Sequence, residues 1–418
     1  MPDASWLKGT SAAFRLMIAT SWLAPESWRE KQEEAILEAA GANLDWMEYV
    51  RLVDRHRTPA LSWATLKRVP NLKIPEHARQ ELRKRSEACQ RQGLTHSMLL
   101  AEILKGLSRA GIPAMSLKGP ILSFDLYGDV GLRQSHDLDL EVLQGDLVPA
   151  INCLDGLGWH LDSVYSPLSP RQWKSFLEHE RHIDLLHSKG CTLELHWRSA
   201  WDGPDNPSLR WTRGAPSVWQ GCTLRAMHVI DLVLYLSSHG GDHAWFRAKW
   251  LGDLARIHAA GLVDWRATLE QARATKQTRA LLASLLLLRE VYGLALPDLP
   301  EEVWREVPPS LIRASLRALR NPDEPGTGAL AVARARLARS RRARLINPAK
   351  RWRETFADLA YTRADFYVLR LPDSLFWAYA PLRPILWAWR LARRGWLAKK
   401  IAQQSRVSGQ SQAIGRIF

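Results

Sequence analysis

The hydrophobic period changes twice along this chain of 418 residues, and the change restricts the folds that it can adopt. Apolar residues recur at steps of three and four in residues 5–110, as they do on amphipathic helices. Short alternating runs, typical of strands, interleave with short helical patterns in residues 112–197. The helical period then returns in residues 226–320. The sequence therefore predicts an α+β fold that is mainly helical, with a small mixed sheet between flanking helical regions.

The same changes divide the chain into four expected segments. These are a helical region (1–110), an α/β core (111–200), a second helical region (201–320) and a basic, Trp-rich helical tail (321–418). Within the core we expect strands at "IPAMSLK", "HDLDLEV", "HIDLLH" and "CTLELHW", and helices at "PILSFDLY" and "DLVPAINCLDGLG". Residues 202–221, rich in Pro, Gly and Trp, are expected to form a loop, and "NPDEPGTG" (321–328) to form a linker.

Several classes of protein are not supported by the sequence. It has no uninterrupted apolar run of about 18 residues, which a membrane-spanning helix requires, and we expect no secretory signal. Four scattered cysteines without a C-x-x-C pair favour buried thiols in a reducing cytoplasm over disulfides or zinc ligands. The P-loop, the G-x-S-x-G elbow and the H-E-x-x-H zinc motif are all absent from the sequence.

The net charge of +15 is concentrated in the last segment. Residues 328–418 contain 19 Lys and Arg against four Asp and Glu, whereas the preceding residues carry 39 of each sign. On a helix, two adjoining stripes would form, one apolar (Leu382, Ile385, Leu386 and Trp389) and one basic (Arg383, Arg390 and Arg394). This combination favours binding to an anionic membrane surface. Binding to nucleic acid and an ordinary solvated face are the alternatives.

Two aspartates one residue apart, Asp137 and Asp139, stand out in the second expected strand. Side chains alternate between the faces of a strand, so both carboxylates point one way while Leu138 and Leu140 point into the core. Adjacent carboxylates repel one another unless a cation lies between them, and hard oxygen ligands suit Mg²⁺ or Mn²⁺. A bare D-x-D pattern also fits the polar face of an amphipathic strand.

The turn before this strand has features of a phosphate site. Lys118-Gly119-Pro120 follows a strand and opens a helix, where glycine permits close backbone approach and proline suits the first helical position. Free N–H groups at a helix start bind phosphate, and Lys118 adds a positive charge beside them. Arg133 and Ser135, just before the D-x-D pair, are expected either to bind phosphate or to fix the loop.

A third carboxylate is expected on a later strand. Glu194, flanked by leucines, faces away from the core, and among the nearby histidines only His196 is expected to share its face. Asp184 is flanked by apolar residues in the same way and is an alternative third acid. The sequence alone leaves both open.

These residues together carry a family resemblance. The pattern from "LKG" through "GLR" to "DLDLEV", followed by "LELHW" and "SSHGGDHAWFRAKWLGDLARI", resembles the bacterial uncharacterised nucleotidyltransferase family of the DNA polymerase β-type superfamily, over about residues 45–296. The resemblance implies transfer of a nucleoside monophosphate from an NTP such as ATP, with two metal ions, Mg²⁺ or Mn²⁺, held by Asp137, Asp139 and Glu194. The chain departs from the superfamily in having Pro120 after Gly119, where Gly or Ser is usual.

The last block of that pattern adds candidates for lining the cleft. They are His239, Lys249 and Asp253, and Lys249 is also expected to bind nucleotide. The spacing of Lys249 and Asp253 by itself predicts an i, i+4 pair on a helix surface. A helix is expected to end near Gly240, with Asp242 capping the next one.

The expected function is therefore a cytoplasmic, metal-dependent nucleotidyltransferase that acts on an unidentified acceptor and reaches a membrane surface through its tail. Two alternatives come from other classes of protein. One is a catalytically silent nucleotidyltransferase fold that binds a nucleotide or a partner. The other is a nucleic-acid-binding protein that acts through the basic tail.

Overall fold

The computed structural model describes residues 9–41, 44–162, 168–198, 209–321, 323, 337, 363–386, 388–389 and 392–393. The chain divides into two compact units. The first comprises Met1–Leu161 and His182–Arg344, and the second comprises Asp162–Arg181 and Leu345–Phe418. All the candidate site residues named above belong to the first unit.

Five α-helices lead the described part of the first unit: α1 (Ala12–Thr20), α2 (Arg29–Ala39), α3 (Trp46–His56), α4 (Pro59–Leu66) and α5 (Glu76–Arg109). Ser11 and Asp45 begin α1 and α3, because their side chains accept backbone N–H groups of the first turn. Arg57, in the left-handed conformation, ends α3. The 34 residues of α5 give a helix about 50 Å long.

Among the described residues, seven strands form one mixed sheet: β1 (Met115–Ser116), β2 (Asp137–Glu141), β3 (Trp159–Leu161), β4 (His182–His187), β5 (Thr192–His196), β6 (Ala215–Trp219) and β7 (Cys222–Ala226). Their order is β3-β4-β5-β2-β1-β7-β6. Helices α6 (Gly119–Tyr127) and α7 (Leu147–Asp155) follow β1 and β2, α8 (Pro170–His179) follows β3, and α9 (Leu209–Arg213) precedes β6. In this strand order, β2 is the central strand of the sheet.

The pairing of β2 with β5 is parallel and brings the acidic residues into register. Asp139 lies opposite Glu194, while the leucine pairs on either side (Leu138 with Leu193, Leu140 with Leu195) are buried. On the far side of β5, the antiparallel strand β4 places Asp184 opposite Glu194. Three carboxylates thus follow one another across one face of the sheet, in the order Asp139, Glu194, Asp184.

Five helices follow the sheet: α10 (Val229–Asp242), α11 (Ala248–Ala259), α12 (Trp265–Ala274), α13 (Thr278–Tyr292) and α14 (Pro309–Arg320). Their apolar faces form one core cluster with those of α1 to α4, which includes Met17, Tyr49, Leu251 and Leu285. The helices that precede the sheet in the sequence therefore share one hydrophobic core with the helices that follow it.

The second unit contains α8, a further helix α15 (Arg363–Val368), a 3-10 helix (Asp373–Ala378) and a helix over residues 379–386. Ser169 and Gln172 form a capping box at the start of α8, and Gln172 Nε2 also donates to Tyr379 Oη at 2.9 Å. Leu386 is buried with Phe366 and Tyr379 in a small core.

The expected apolar stripe of the tail is only partly present. Leu386 is buried, whereas Ile385 and Trp389 are 65% and 45% exposed, because the helix turns Leu386 into the core of the second unit. The four apolar residues of the expected stripe therefore do not share one surface. Two of the arginines of the adjoining stripe, Arg390 and Arg394, lie outside the described residues, and so does the most basic run of the tail, Arg334 to Arg344, apart from Leu337.

The predicted fold class is confirmed, since the structure is mainly helical with one small mixed sheet. The predicted loop at 202–221 is wrong from residue 209 onwards, because α9 and β6 lie there and β6 pairs along its whole length with β7. The short strand β3 was not expected either. No helix among the described residues is long and apolar enough to cross a bilayer.

Candidate active site

The loop between β1 and α6 brings a lysine to the centre of the sheet. Gly119 has a φ of 76°, in the left-handed region that favours glycine, and it lets the chain turn from β1 into α6 at once. Lys118, at the N-cap position, extends its side chain over β2. The proline that follows begins the helix without a lost hydrogen bond, because the first N–H groups of a helix have no partner within it.

The Lys118 ammonium forms an ion pair with Asp139, with Nζ 2.9 Å from Oδ1. The lysine side chain is 10% exposed and the aspartate side chain is fully buried. Burial raises the pKa of Asp139, but the charges of Lys118 and His196 outweigh it and hold that pKa well below its ordinary value. Burial likewise opposes the charge on Lys118, yet Asp139 raises the lysine pKa well above its ordinary value. Both groups are therefore charged at neutral pH.

The imidazole of His196, on β5, contacts the carboxylates of both Asp139 and Glu194. His196 Nε2 is 3.3 Å from Glu194 Oε2 and 3.6 Å from Asp139 Oδ1. Burial lowers the pKa of His196, but its contacts with the two carboxylates prevail and raise it to about 9. Asp137 stands half-buried at the start of β2, opposite Thr192.

The expectation that only His196 shares a face with Glu194 is wrong. His182 on β4 lies opposite His196 on β5, with ring centroids 5.0 Å apart, because the register of the two strands places them on the same face. His182 Nε2 is also 3.5 Å from Asp184 Oδ1. The even spacing of His182 and Asp184 on one strand was the signal that could have shown this.

The loop before β2 is held by close packing and a buried ion pair. Arg133 Nε donates to Asp253 Oδ2 at 2.7 Å, and both side chains are almost completely buried. Tyr127 Oη donates to the other oxygen of Asp253 at 3.1 Å. The backbone of the loop also contacts α5 closely, since a Cβ on Gly131 would lie 2.7 Å from the Cα of Gln90. The Arg133 guanidinium is thus committed to a contact inside the protein.

Two further candidates also contact this loop. Ser135 Oγ donates to the backbone oxygen of Asp137 at 2.8 Å, which fixes the start of β2. Lys249 on α11 donates from Nζ to the backbone oxygen of Gln134 at 3.1 Å. Burial, together with the charges of Arg133 and Arg57, lowers the pKa of Lys249 well below its ordinary value.

The predicted surface pair of Lys249 and Asp253 is wrong. Both side chains are buried, and Asp253 pairs with Arg133, which comes from a loop 120 positions away. The predicted cap at Asp242 is also wrong, because α10 continues to Asp242 and Arg247 occupies the N-cap position of α11. The spacing along one helix could not reveal a partner from another element.

Two rings of α10, those of Tyr235 and His239, lie beside Lys118. The lysine Nζ is 5.9 Å from the centroid of the Tyr235 ring, and that ring stacks on His239. Burial and the nearby charge of Lys118 lower the pKa of His239 well below its ordinary value, so its imidazole is neutral. Tyr235 was not predicted, although its position four residues before His239 puts both on one helix face.

The donor atoms around Asp139 fit a divalent cation. Both carboxylate oxygens are buried; Oδ1 contacts Lys118 Nζ at 2.9 Å, whereas Oδ2 accepts no hydrogen bond of favourable geometry from any residue in the described part of the chain. The neighbours that stabilise the charge are themselves cations, Lys118 and His196. Asp139 therefore supplies hard oxygen ligands of the kind that Mg²⁺ or Mn²⁺ takes, and an ion bound there would compete with Lys118 for Oδ1.

Comparison with known proteins agrees with the sequence pattern. Residues 42–293, more than half of the chain, match the family described as "Uncharacterised nucleotidyltransferase". No curated protein matches the chain. Among solved structures, the antibiotic-resistance factor ANT(2″)-Ia is similar, at 12% identity and a TM-score of 0.26, over 63% of this chain and 98% of that one; so low a score carries no argument. The family match shows that the chain belongs to the family of uncharacterised nucleotidyltransferases.

Proposed function

We propose that this protein transfers a nucleoside monophosphate from an NTP to an acceptor hydroxyl, with divalent metal ions bound by Asp137, Asp139 and Glu194. The observation that carries the proposal is the pairing of Asp139 with Glu194 on adjacent parallel strands, beside the buried ammonium of Lys118. Carboxylates on one face of the sheet can bind the metal ions, and the N-terminus of α6 with Lys118 can bind the phosphates of an NTP.

In this reaction the acceptor oxygen bonds to the α-phosphorus while the bond to the leaving pyrophosphate breaks. The hydroxyl proton passes to a carboxylate of the site. Mg²⁺ or Mn²⁺ held by Asp137, Asp139 and Glu194 would lower the pKa of the acceptor hydroxyl and stabilise the charge that develops on the phosphoryl oxygens. Lys118 and the backbone of Gly119 bind the phosphates, because the lysine already lies at the carboxylates and the helix start is cationic.

Arg133, Ser135 and Lys249 hold the loop that presents Asp137 to the substrate. Each of them is engaged within the protein: Arg133 with Asp253, Ser135 with the Asp137 backbone and Lys249 with the Gln134 backbone. We therefore assign these three residues to positioning of the loop. Direct contacts between them and the nucleotide, which the sequence led us to expect, stay a prediction. Such a loop keeps the metal-binding carboxylates in place at little entropic cost on binding.

Glu194 is the better third acid. It lies directly opposite Asp139 on the neighbouring strand, whereas Asp184 is one strand further away. Neighbouring strands are about 4.8 Å apart, so Asp184 begins about 10 Å from the Asp139 backbone. We expect Glu194→Gln to abolish transfer and Asp184→Asn to retain most of it.

The test is release of pyrophosphate from each of the four NTPs with Mg²⁺ or Mn²⁺ and pools of candidate acceptors. We expect Asp137→Asn and Asp139→Asn to lower the rate by roughly 100-fold or more, because the metal loses a charged ligand. Asp155→Asn is the matched control, since Asp155 is exposed and ion-paired with His160 outside the site. A wild-type protein that binds NTP but releases no pyrophosphate with any acceptor pool would instead be the catalytically silent binding protein.

The membrane contact expected of the tail stays a prediction. Trp377, Ile385 and Trp389 are 64%, 65% and 45% exposed, which is consistent with residues that anchor at an interface. The high positive charge of residues 328–418 would add attraction to anionic lipid.

A further inference from the structure

Three side chains next to the carboxylate pair form a cluster of a different chemical type. His182, Glu194 and His196 each offer one ligand atom, and these atoms all lie within 4.8 Å of one another. Ligand atoms around a tetrahedral ion with bonds of about 2.0–2.1 Å lie about 3.3 Å apart. Small side-chain rotations therefore suffice for the three residues to close on one ion.

The histidine at the centre of the cluster supports this reading independently. His196 Nε2 is buried beside the carboxylates of Glu194 and Asp139. A metal ion bound at this nitrogen would displace its proton and take the place of its positive charge. The two closest acceptors are carboxylates, at 3.3 Å and 3.6 Å, which bring negative charge to the same point.

The position of Asp184 adds to the attraction for a cation. Its Oδ1 lies 3.5 Å from His182 Nε2, at the edge of the cluster away from Asp139. A carboxylate at one ring nitrogen orients the imidazole and increases the basicity of the other nitrogen, so His182 would bind the ion through Nδ1. Asp184, which is a poor third acid for the Asp139 position, thereby gains a role on the other side of Glu194.

We propose that His182, Glu194 and His196 bind a divalent transition-metal ion, and that Asp184 supports His182 from outside the site. Imidazole nitrogen suits Zn²⁺, Co²⁺ and similar ions, whereas Mg²⁺ requires oxygen ligands. The active site would then hold two unlike ions, a hard one at Asp137 and Asp139 and a transition metal at the histidines. Glu194 lies between the two positions. The inference rests on the proposed function for this shared use of Glu194.

The test uses Co²⁺ alone with the full chain, because Co²⁺ bound to nitrogen ligands absorbs visible light and needs no nucleotide. We expect one equivalent of Co²⁺ to give a visible band that Zn²⁺ abolishes and that an excess of Mg²⁺ leaves unchanged. His182→Ala and His196→Ala should each weaken Co²⁺ binding at least tenfold. Because His182 is 31% exposed, its replacement should leave the fold intact, which circular dichroism would verify.

Two controls separate this inference from the proposed function. His160→Ala removes an exposed imidazole from β3 and should bind Co²⁺ as the wild type does. Asp137→Asn should keep the visible band while losing NTP turnover. Co²⁺ binding that is unchanged in His182→Ala, or that Mg²⁺ displaces at equal concentration, would overturn the inference. Loss of turnover alone would leave it standing.

Discussion

Replacement of Asp253 by Asn should destabilise the first unit strongly. The change keeps the size of the side chain, removes its negative charge and replaces one acceptor oxygen by an NH2 donor, so the guanidinium of Arg133 is left buried without its counter-ion. The two side chains are 2% and 0% exposed, with Nε and Oδ2 2.7 Å apart. Tyr127 and Arg133 donate to different oxygens of Asp253, and the amide of Asn can accept from only one of them, so the variant loses a hydrogen bond together with the charge.

The size of the effect follows from this geometry. Two unit charges separated by 2.7 Å attract each other by about 6 kcal/mol at an effective dielectric constant of 20. Part of this attraction only offsets the desolvation of the two groups in the wild type. Removal of one partner of such a pair costs about 3–5 kcal/mol, because the remaining charge stays buried. We expect a loss of that size in the free energy of unfolding.

A surface pair of the same chemistry supplies the control. Arg266 and Asp298 also lie 2.7 Å apart, but their side chains are 74% and 92% exposed. Asp298→Asn should therefore leave the stability almost unchanged. Urea unfolding followed by tryptophan fluorescence would compare the two variants. Equal shifts would refute the argument, because distance alone would then decide the outcome.

Three other predictions test separate parts of the molecule. His56 is buried, and burial lowers its pKa to about 3, so the unfolded chain binds a proton at this histidine before the folded chain does as the pH falls. The free energy of unfolding should therefore drop by about 2 kcal/mol between pH 7 and 5. His56→Gln should remove this pH dependence, which urea titrations at the two pH values would measure. Gly131→Ala should cost about 1–3 kcal/mol, since the new Cβ meets Gln90, whereas Gly145→Ala, which faces open space, should cost little; thermal unfolding would compare them. Trp377→Ser should weaken sedimentation with vesicles rich in phosphatidylserine, and unchanged sedimentation would argue against a membrane role for this side chain.

Local pattern was enough to predict much of the sheet and the acidic part of the site. The alternation of leucine with Asp137, Asp139 and Glu194 placed those acids on one face, and the register of β2 with β5 agrees with it. The turn at Gly119 was also predictable, because a glycine and a proline between a strand and a helix leave few other conformations. Strand and helix periods report which way a side chain faces, and that information is local.

Partners from distant parts of the chain could not be predicted. Arg133 and Asp253 are 120 positions apart, and no periodicity links them. Lys249 was expected on a surface because its helix spacing with Asp253 is typical of exposed pairs, whereas α11 is buried on nearly all sides. The alternation of side chains along β4 was enough to predict the face on which His182 lies. Its contact with His196, however, depends on the register of β4 against β5.

The parallel pairing of β2 with β5 also bears on how this protein folds. Asp139 and Glu194 are 55 positions apart, and the chain between them contains β3 and β4, which lie on the far side of β5 from β2. Closure of so long a loop is entropically costly, and non-local pairs of this kind form slowly. The D-x-D strand can pair with β1 early, but its carboxylates gain Glu194 only when β5 arrives. Affinity for a divalent ion should therefore appear late in refolding, and bound metal would favour the final docking step over its reversal.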